Sequence, residues 1–248
     1  MAATQLLSLF LSLAMSSTPV HQDTRIPPHA AGLTGDDVLV VSSEAFLTAH
    51  PDQHYRLRAQ GALHQGKPEQ ARNFFRRAAH YGDKLSQAML AQMHWDGLGG
   101  EVDRALGYAW MDLAAERGTP LLLSERERFW LALDQSEQQR AVTEGQAIYA
   151  SYADDVAKPR LEREMRKANL ATIGSRISAR SAKAETCIGT ARVARNQLFL
   201  CMNQVSTDRF YQDRFWEPEK YWAWQDQVLL INTGMPGVTV GNPASIAP

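Results

Sequence analysis

Two nine-residue stretches of the chain share one pattern at a fixed distance. The stretch from Phe74 to Gly82 reads FFRRAAHYG, and the stretch from Trp110 to Gly118, 36 residues later, reads WMDLAAERG. Both begin with an aromatic residue, carry an Ala-Ala pair and end in glycine. Self-similarity at a period of roughly 20–50 residues is typical of repeat architectures. The chain is therefore predicted to stack similar units, an arrangement that usually serves binding.

Each stretch carries the apolar face of a helix. Small or apolar residues follow the spacing i, i+3, i+4, i+7 and i+8: Ala71, Phe74, Phe75, Ala78 and Ala79 in the first stretch, and Gly107, Trp110, Met111, Ala114 and Ala115 in the second. Gly82 and Gly118 stand where a helix ends in a left-handed residue. Matching helical segments precede both stretches, from Tyr55 to Gln65 and from Ser86 to Trp95. Each unit is therefore predicted to be a helical hairpin.

The turn and the ending of the second unit match a known repeat pattern. The turn residues are Gly97, Gly99, Gly100 and Asp103, and the ending is formed by Trp110, Ala114, Ala115 and Gly118. With these residues the unit resembles the Sel-one-like repeat (SLR), a relative of the tetratricopeptide repeat (TPR), although Gly100 replaces the usual Val and the first unit has a shorter turn. The resemblance covers about residues 55–118. It implies a mainly α fold, a short right-handed α-solenoid of SLR/TPR-like hairpins, and a role in protein–protein interaction.

The segment around the two units completes a predicted repeat domain over residues 37–157. The units are assigned to residues 53–82 and 84–118, and a degenerate capping unit to residues 119–157, because terminal repeats cap such stacks. Ser124 with Glu127, and Ser136 with Gln139, have the spacing of capping boxes that begin two further helices. Pro159 is expected to interrupt the helix that follows.

Residues 158–183 form a basic stretch. It holds eight basic side chains against two acidic ones: Lys158, Arg160, Arg163, Arg166, Lys167, Arg176, Arg180 and Lys183 against Glu162 and Glu164. One interpretation is a solvated helix leading into a polar linker. The other is contact with an anionic partner or surface, with Arg163, Arg166 and Lys167 as candidate binding residues.

Residues 184–232 change in character and are predicted to form a small C-terminal α+β extension. Thr190 to Val205 mixes β-branched and apolar residues, as a strand or hairpin does. Seven aromatic residues follow within a short span: Phe210, Tyr211, Phe215, Trp216, Tyr221, Trp222 and Trp224. Pro218 suits the first turn of a helix running to about Leu230. We expect the segment to dock on the helical stack while at least one of Trp216 and Trp224 stays exposed to meet a partner.

Both ends of the chain are predicted to lie outside the folded part. Leu6 to Met15 is an apolar run too short to span a bilayer and is followed by small residues, as in a signal peptide over residues 1–16. The alternative is a buried N-terminal helix, because no basic residue precedes the run. Residues 17–36 are interpreted as a flexible N-terminus and residues 233–248 as a disordered tail. A cleaved signal predicts a periplasmic or secreted protein whose mature chain carries no transmembrane anchor.

The two cysteines gain meaning if the chain is exported. Cys187 and Cys201 would close a loop of 201 − 187 + 1 = 15 residues, and a bridge of that size contributes about 3 kcal/mol in the chain-entropy model. The alternative is a pair of free buried thiols. We predict the disulfide between Cys187 and Cys201.

No motif for catalysis or cofactor binding is found in the sequence. His50 and His54 have the i, i+4 spacing of metal ligands, but Pro51 intervenes and no third ligand is evident, so neither a metal nor a cofactor is predicted. The formal net charge of −1 gives no global attraction to nucleic acid. The first hypothesis is a non-catalytic scaffold that binds another envelope protein. The alternative is a module that stacks exposed aromatic rings on cell-wall glycan.

Overall fold

A computed structural model of the chain describes residues 34–173, 185–192 and 199–232. The elements follow in the order α1 (Gly35–Ser42), α2 (Glu44–Ala49), α3 (Pro51–His64), α4 (Pro68–Ala79), α5 (Lys84–Asp96), α6 (Arg104–Ala114), a 3-10 turn (Ala115–Arg117), α7 (Pro120–Ala132), α8 (Gln135–Tyr152), α9 (Asp154–Ile173), β1 (Glu185–Arg192), β2 (Phe199–Ser206), α10 (Thr207–Phe210), α11 (Asp213–Trp216) and α12 (Pro218–Asn232). The predicted signal peptide at residues 1–16 and the predicted tail at residues 233–248 lie outside the described residues.

The two repeat units are helical hairpins, as predicted. Helix α3 packs on α4 and α5 packs on α6, while α4 also contacts α5 and so joins the hairpins. The Ala-Ala pairs of both units are buried, and Ala79, Ala114 and Ala115 lie in one shared core. Their small side chains let neighbouring helices approach closely, and Phe75, Trp110 and Met111 fill the wider gaps. The predicted fold class, mainly α with stacked helical hairpins, is confirmed.

The turn glycines adopt the backbone conformation that the repeat pattern predicts. Gly82, Gly97, Gly99 and Gly118 have φ angles of 81°, 71°, 75° and 73°. An L side chain rarely adopts this left-handed region, so glycine is favoured there. Gly99 has a second constraint, because a Cβ at this position would lie 2.7 Å from the carbonyl oxygen of Pro68. The turn of the second unit therefore lies directly against the start of α4.

The last part of the stack departs from its prediction. Helix α7 begins at Pro120, which occupies the first turn, so Ser124 lies inside the helix and its assignment as a cap is wrong. The cap of α8 is Asp134 instead of Ser136: the carboxylate of Asp134 accepts the backbone N–H of Glu137 at 2.8 Å, and Glu137 accepts that of Asp134 at 3.0 Å. A carboxylate gains from the helix dipole at this position, which a serine does not. Both α7 and α8 then pack on α6.

A second core joins the two ends of the described chain. Its buried residues come from α1, α2, α9 and the C-terminal segment: Val40, Val41, Phe46, Ala49, Leu161, Met165, Val205, Phe210, Phe215, Trp216, Tyr221, Trp222, Trp224 and Val228. Residues 37–49, which were assigned to the repeat domain, thus pack with the C-terminal extension. Helix α1 begins at Gly35, inside the predicted flexible N-terminus, because Thr34 and Asp37 form a capping box.

Helix α9 carries most of the described basic stretch. The helix is interrupted at Ala153, which is extended and separates α8 from α9, and Pro159 lies inside α9. The expected interruption at Pro159 is therefore wrong. A proline near the start of a helix removes one backbone hydrogen bond, which the rest of a long helix tolerates. Ala157, Leu161 and Met165 recur every four residues and are fully buried. Arg163, Arg166 and Lys167 are exposed and therefore lie outside this buried face.

The C-terminal extension contains an antiparallel hairpin followed by helices, as predicted. Strands β1 and β2 pair with Cys187 opposite Gln204 and with Cys201 opposite Thr190. The two cysteines therefore stand on paired strands without facing each other directly in this register. Their disulfide stays a prediction. Helix α12 begins at the predicted Pro218 and extends to Asn232.

Candidate functional site

A groove with a volume of about 600 Å³ runs along the exposed face of α4. Its walls come from α3, α4, the turn after α4 and the end of α8: Tyr55, Gln70, Asn73, Phe74, Arg76, Arg77, His80, Tyr81 and Tyr152. The residues of α4 share one side because they are spaced by three or four positions. Asn73, Arg76 and Arg77 are exposed, whereas the aromatic rings are half-buried. The groove thus combines an aromatic floor with polar and cationic edges.

The floor is a ladder of two stacked aromatic rings with a guanidinium group over each ring. Tyr55 stacks on Phe74, with ring centroids 6.4 Å apart and an interplanar angle of 15°. The guanidinium carbon of Arg77 lies 5.3 Å from the ring centroid of Tyr55, and that of Arg58 lies 4.6 Å from that of Phe74. Such cation–π contacts are worth roughly 0.5–1 kcal/mol at exposed sites, so they hold both arginines over the groove.

The edge of the groove near α9 is also basic. Arg160 donates to the carbonyl oxygens of His80 and Ser151, at 3.2 and 2.6 Å. Burial, and the charge of Arg160, lower the pKa of His80, so its ring is neutral at pH 7. Burial raises the pKa of Tyr81, so its hydroxyl is also neutral at pH 7. The positive charge of this edge is therefore carried by arginine and lysine and does not change near neutral pH.

The three predicted basic binding residues lie on α9. Lys167 is 69% exposed and pairs with Glu164 at 2.7 Å, and Arg166 is 58% exposed and lies 3.7 Å from Glu162. Arg163 is exposed on the same helix. Of these, Lys167 acts electrostatically on Tyr81 in the groove. Their role in partner binding stays a prediction.

The other two predicted binding residues are not on the surface. Trp216 is 8% exposed and Trp224 is 6% exposed, so the expectation that one of them meets solvent is wrong. The indole N–H of Trp216 donates to the carbonyl oxygen of Phe210 at 2.6 Å, and Trp224 packs edge-on against Phe215 with centroids 5.2 Å apart. Phe46 in α2 packs edge-on against Trp216 with ring centroids 6.3 Å apart, and the sequence pattern did not indicate that contact.

The equivalent aromatic residues of the two repeat units have different surroundings. Trp110 is 4% exposed and packs against Tyr152 with ring centroids 4.8 Å apart. Phe74 occupies the same repeat position but is half-buried, because one side of its ring faces the groove. The prediction that Phe74 belongs to the repeat core is thus only partly right, since its ring also lines the candidate site.

The groove was not predicted, although its sequence carries a signal. In RNFFRR, Arg72 to Arg77, two aromatic residues are flanked by three arginines on a helix whose other side is apolar. An exposed basic and aromatic face of this kind is a candidate binding surface. Tyr55 gives no such signal, because only the packing of α3 on α4 brings it to Phe74.

A cluster of buried polar side chains lies beside the second core. The Tyr221 hydroxyl donates to Asp52, and the amide of Gln53 donates to Tyr221 at 3.1 Å and to Gln225 at 2.9 Å. Burial raises the pKa of Asp52 to about 6. The ring nitrogens of His50 lie 2.9 and 2.7 Å from the carbonyl oxygens of Phe46 and Phe215, and burial lowers its pKa to about 4. These contacts connect α2 and α3 to the C-terminal segment.

Within residues 34–173, 185–192 and 199–232, no group of His, Cys, Asp and Glu side chains has the arrangement of a metal site. Over the same residues, no helix is both long enough and apolar enough to cross a membrane.

The stacked hairpins, their turn glycines and their alanine-rich core define this chain as a helical-repeat protein. No family model and no curated protein matches the chain. Among solved structures, it is similar to c5321, a protective antigen present in uropathogenic Escherichia coli strains that displays an SLR fold, with 23% sequence identity and a TM-score of 0.38. The match covers 54% of this chain and 27% of that chain, so it spans about a quarter of the other protein's length.

Proposed function

We propose that the protein is a non-catalytic interaction scaffold that binds another protein in the groove along α4. The ladder of Arg77, Tyr55, Phe74 and Arg58 supports this role. Protein interfaces are enriched in aromatic residues and arginine, and such side chains dominate binding energy. Half-buried rings held in place by cation–π contacts also lose little conformational freedom when a partner binds.

The positions of the titratable groups favour binding over catalysis. Asp52 and His50 have strongly shifted pKa values, but both side chains are almost fully buried and neither lines the groove. Burial and the charge of Arg72 also lower the pKa of His94 to about 4. His94 is likewise buried, beneath the hairpin that carries the groove. General acids and bases act where they can reach a substrate. The groove offers rings and permanently charged guanidinium groups instead.

We also propose that the scaffold acts in the envelope, after cleavage of the apolar N-terminal run. This step rests on the run from Leu6 to Met15 and is independent of the groove. Mass spectrometry that identifies the N-terminus of the protein purified from its host tests the proposed cleavage. A new N-terminus between about Ala14 and Val20 supports export, whereas a chain that retains Met1 in the cytoplasmic fraction contradicts it.

Site-specific crosslinking tests the binding role. A photo-crosslinking residue at the exposed Asn73 places the probe inside the groove, and the same residue at Thr143, exposed on α8, serves as the matched control. We expect a discrete protein adduct from position 73 and none from position 143. The adduct should disappear when Tyr55→Ala removes one ring of the ladder.

Two results of that experiment would contradict the proposal. An adduct that forms equally from both positions would show non-specific capture. An adduct from position 73 that contains glycan rather than protein would instead support the stacking of sugars on Tyr55, Tyr81 or Tyr152. The burial of Trp216 and Trp224 leaves no row of exposed indoles for that alternative among the described residues of the C-terminal segment.

A further inference from the structure

The charged residues that line the groove are all cationic. Arg76 and Arg77 line the groove, and Arg58 covers one end of its floor. Among the nine described residues that line it, none is acidic. The nearby carboxylate of Glu164 is already paired with Lys167 at 2.7 Å. The groove is therefore a local basic site on a chain whose formal net charge is −1.

The arginines of the groove differ in their partners from Arg117 and Arg126. Arg117 and Arg126 each pair with two carboxylates. Within the described residues, in contrast, no carboxylate pairs with Arg58, Arg76 or Arg77. A cation–π contact uses the flat face of a guanidinium and leaves its N–H donors free in the plane. These donors suit carboxylates, which accept them in bidentate pairs.

The shape of the groove favours an extended chain over a flat surface. From Gln70 to Arg77 it follows α4 for about 10 Å, because each helical residue advances 1.5 Å. That length matches about three residues of an extended segment, at roughly 3.3 Å each. The ring of Phe74 at the bottom can be covered by an apolar side chain that enters the groove, which a flat membrane surface cannot supply.

We infer that the groove binds an extended acidic segment of a partner protein, whose carboxylates pair with Arg76 and Arg77 while an apolar side chain covers Tyr55 and Phe74. This inference rests on the proposed binding function and specifies its ligand. Because the arginines keep their charge at all physiological pH values, binding should weaken with ionic strength and stay nearly constant between pH 6 and pH 8.

Selection from a displayed library of random dodecapeptides on the full chain tests the inference. We expect selected peptides to be rich in Asp and Glu around one aromatic or aliphatic residue. Arg76→Glu combined with Arg77→Glu should weaken their binding by about tenfold or more, since like charges then meet at the interface. The control variant, Arg104→Glu with Arg140→Glu, reverses two exposed arginines outside the groove and should bind as the wild type does.

The other outcomes separate this inference from the proposed function. Selected peptides without an acidic excess that still need Tyr55 would overturn the acidic ligand and retain the binding groove. A library that yields no binder, together with no adduct from Asn73, would overturn both. Vesicles of phosphatidylglycerol that bind the full chain and compete with the selected peptides at the groove would show that the cations recognise an anionic surface instead.

Discussion

The two cores of this protein are built by different rules. In the repeat core, alanine pairs and turn glycines join helices that are close in sequence: Lys84 contacts Leu113 and Glu116, 29 and 32 residues away. In the second core, large aromatic rings join segments from the two ends of the described chain. There His50 meets Phe215 across 165 residues, and Gln53 meets Gln225 across 172.

This difference shows how a short repeat stack is closed. A stack of two hairpins leaves helix faces uncovered at its ends, and terminal elements must cover them. Helix α12 covers part of both cores, because Leu229 packs in the repeat core while Trp224 and Val228 pack in the second core. The Arg117–Asp226 ion pair, 3.1 Å long, also links the second repeat unit to α12. The two cores should therefore unfold together.

The largest effect is expected when one side of the second core is removed. A chain that ends after Val205 loses α10, α11 and α12, and it exposes the apolar side chains of α1, α2 and α9 in one patch. Soluble monomers rarely expose more than a few hundred Å² of contiguous apolar surface. We expect this fragment to aggregate, as measured by size-exclusion chromatography with light scattering.

The opposite deletion is the matched test of the same comparison. A chain that starts at His50 removes α1 and α2 and uncovers Phe215 and Trp216 from the other side. It should aggregate like the first fragment. If either fragment is monodisperse and keeps the melting temperature of the full chain, the second core is an independent appendage and the idea of closure is wrong.

A large but smaller effect is expected from removing one ring in each core. Trp110→Ala in the repeat core and Phe215→Ala in the second core should each cost roughly 3–5 kcal/mol of unfolding free energy. Both residues are almost fully buried. Because the cores share α12, each variant should still unfold in a single transition when circular dichroism and tryptophan fluorescence are followed in urea.

Two distinct transitions in either variant would show that the cores are separate cooperative units. The exposed Leu131, which is 82% accessible, provides the control. Its replacement by alanine should change the unfolding free energy by less than about 0.5 kcal/mol, as surface substitutions usually do. A comparable loss in Leu131→Ala would mean that burial does not explain the two core variants.

How well each core could be predicted from the sequence depends on how that core is built. The period of 36 residues revealed the hairpins, because Phe75 and Trp110 pack against neighbours in their own or the next unit. The second core has no period, so nothing in the aromatic segment indicated that Phe46 would pack against Trp216. The expected exposure of Trp216 and Trp224 failed for this reason.

The candidate groove was missed on similar grounds. Phe74 was assigned to the core by its repeat position, and its equivalent Trp110 is indeed buried. The covering ring of Tyr152 comes from α8, which packs on α6, and the repeat pattern does not extend to that helix. A repeat pattern thus predicts which side of a helix is apolar, but the neighbouring helices decide how much of that side is covered.

Two turn glycines of the repeat should differ in their tolerance of a side chain. Gly99→Ala places a Cβ 2.7 Å from the backbone of Pro68 at a φ of +75°, so the start of α4 must move. Gly118 has a φ of +73°, but a Cβ there meets nothing within 4 Å. We expect a loss of roughly 2–4 kcal/mol for Gly99→Ala and about 1 kcal/mol for Gly118→Ala, measured by urea denaturation. Equal losses would show that only the backbone angle matters.

The smallest effect is expected in the pH dependence of the second core. Burial raises the pKa of Asp52 from 3.8 to about 6, an effect that Asp83 reinforces while the Tyr221 hydrogen bond and Arg56 oppose it. A carboxyl group with a raised folded-state pKa stabilises the fold at pH values below its unfolded pKa, and this contribution is lost as the pH rises through about 6. His50 acts in the opposite direction, because its lowered pKa gives a contribution that is lost as the pH falls from 6.5 towards about 4.

The variant Asp52→Asn separates these two contributions. It removes the titration of Asp52 and leaves that of His50, so the His50 contribution cancels when the variant is compared with the wild type at each pH. The unfolding free energy of the variant, relative to the wild type, should rise by about 1–2 kcal/mol between pH 4 and pH 7, somewhat less than two full pKa units would give. The measurement is a series of urea denaturation curves. If the difference in unfolding free energy between the variant and the wild type is the same at every pH, the Asp52 carboxyl is in contact with water. The contact of α3 with Tyr221 would then be looser than the repeat core beside it.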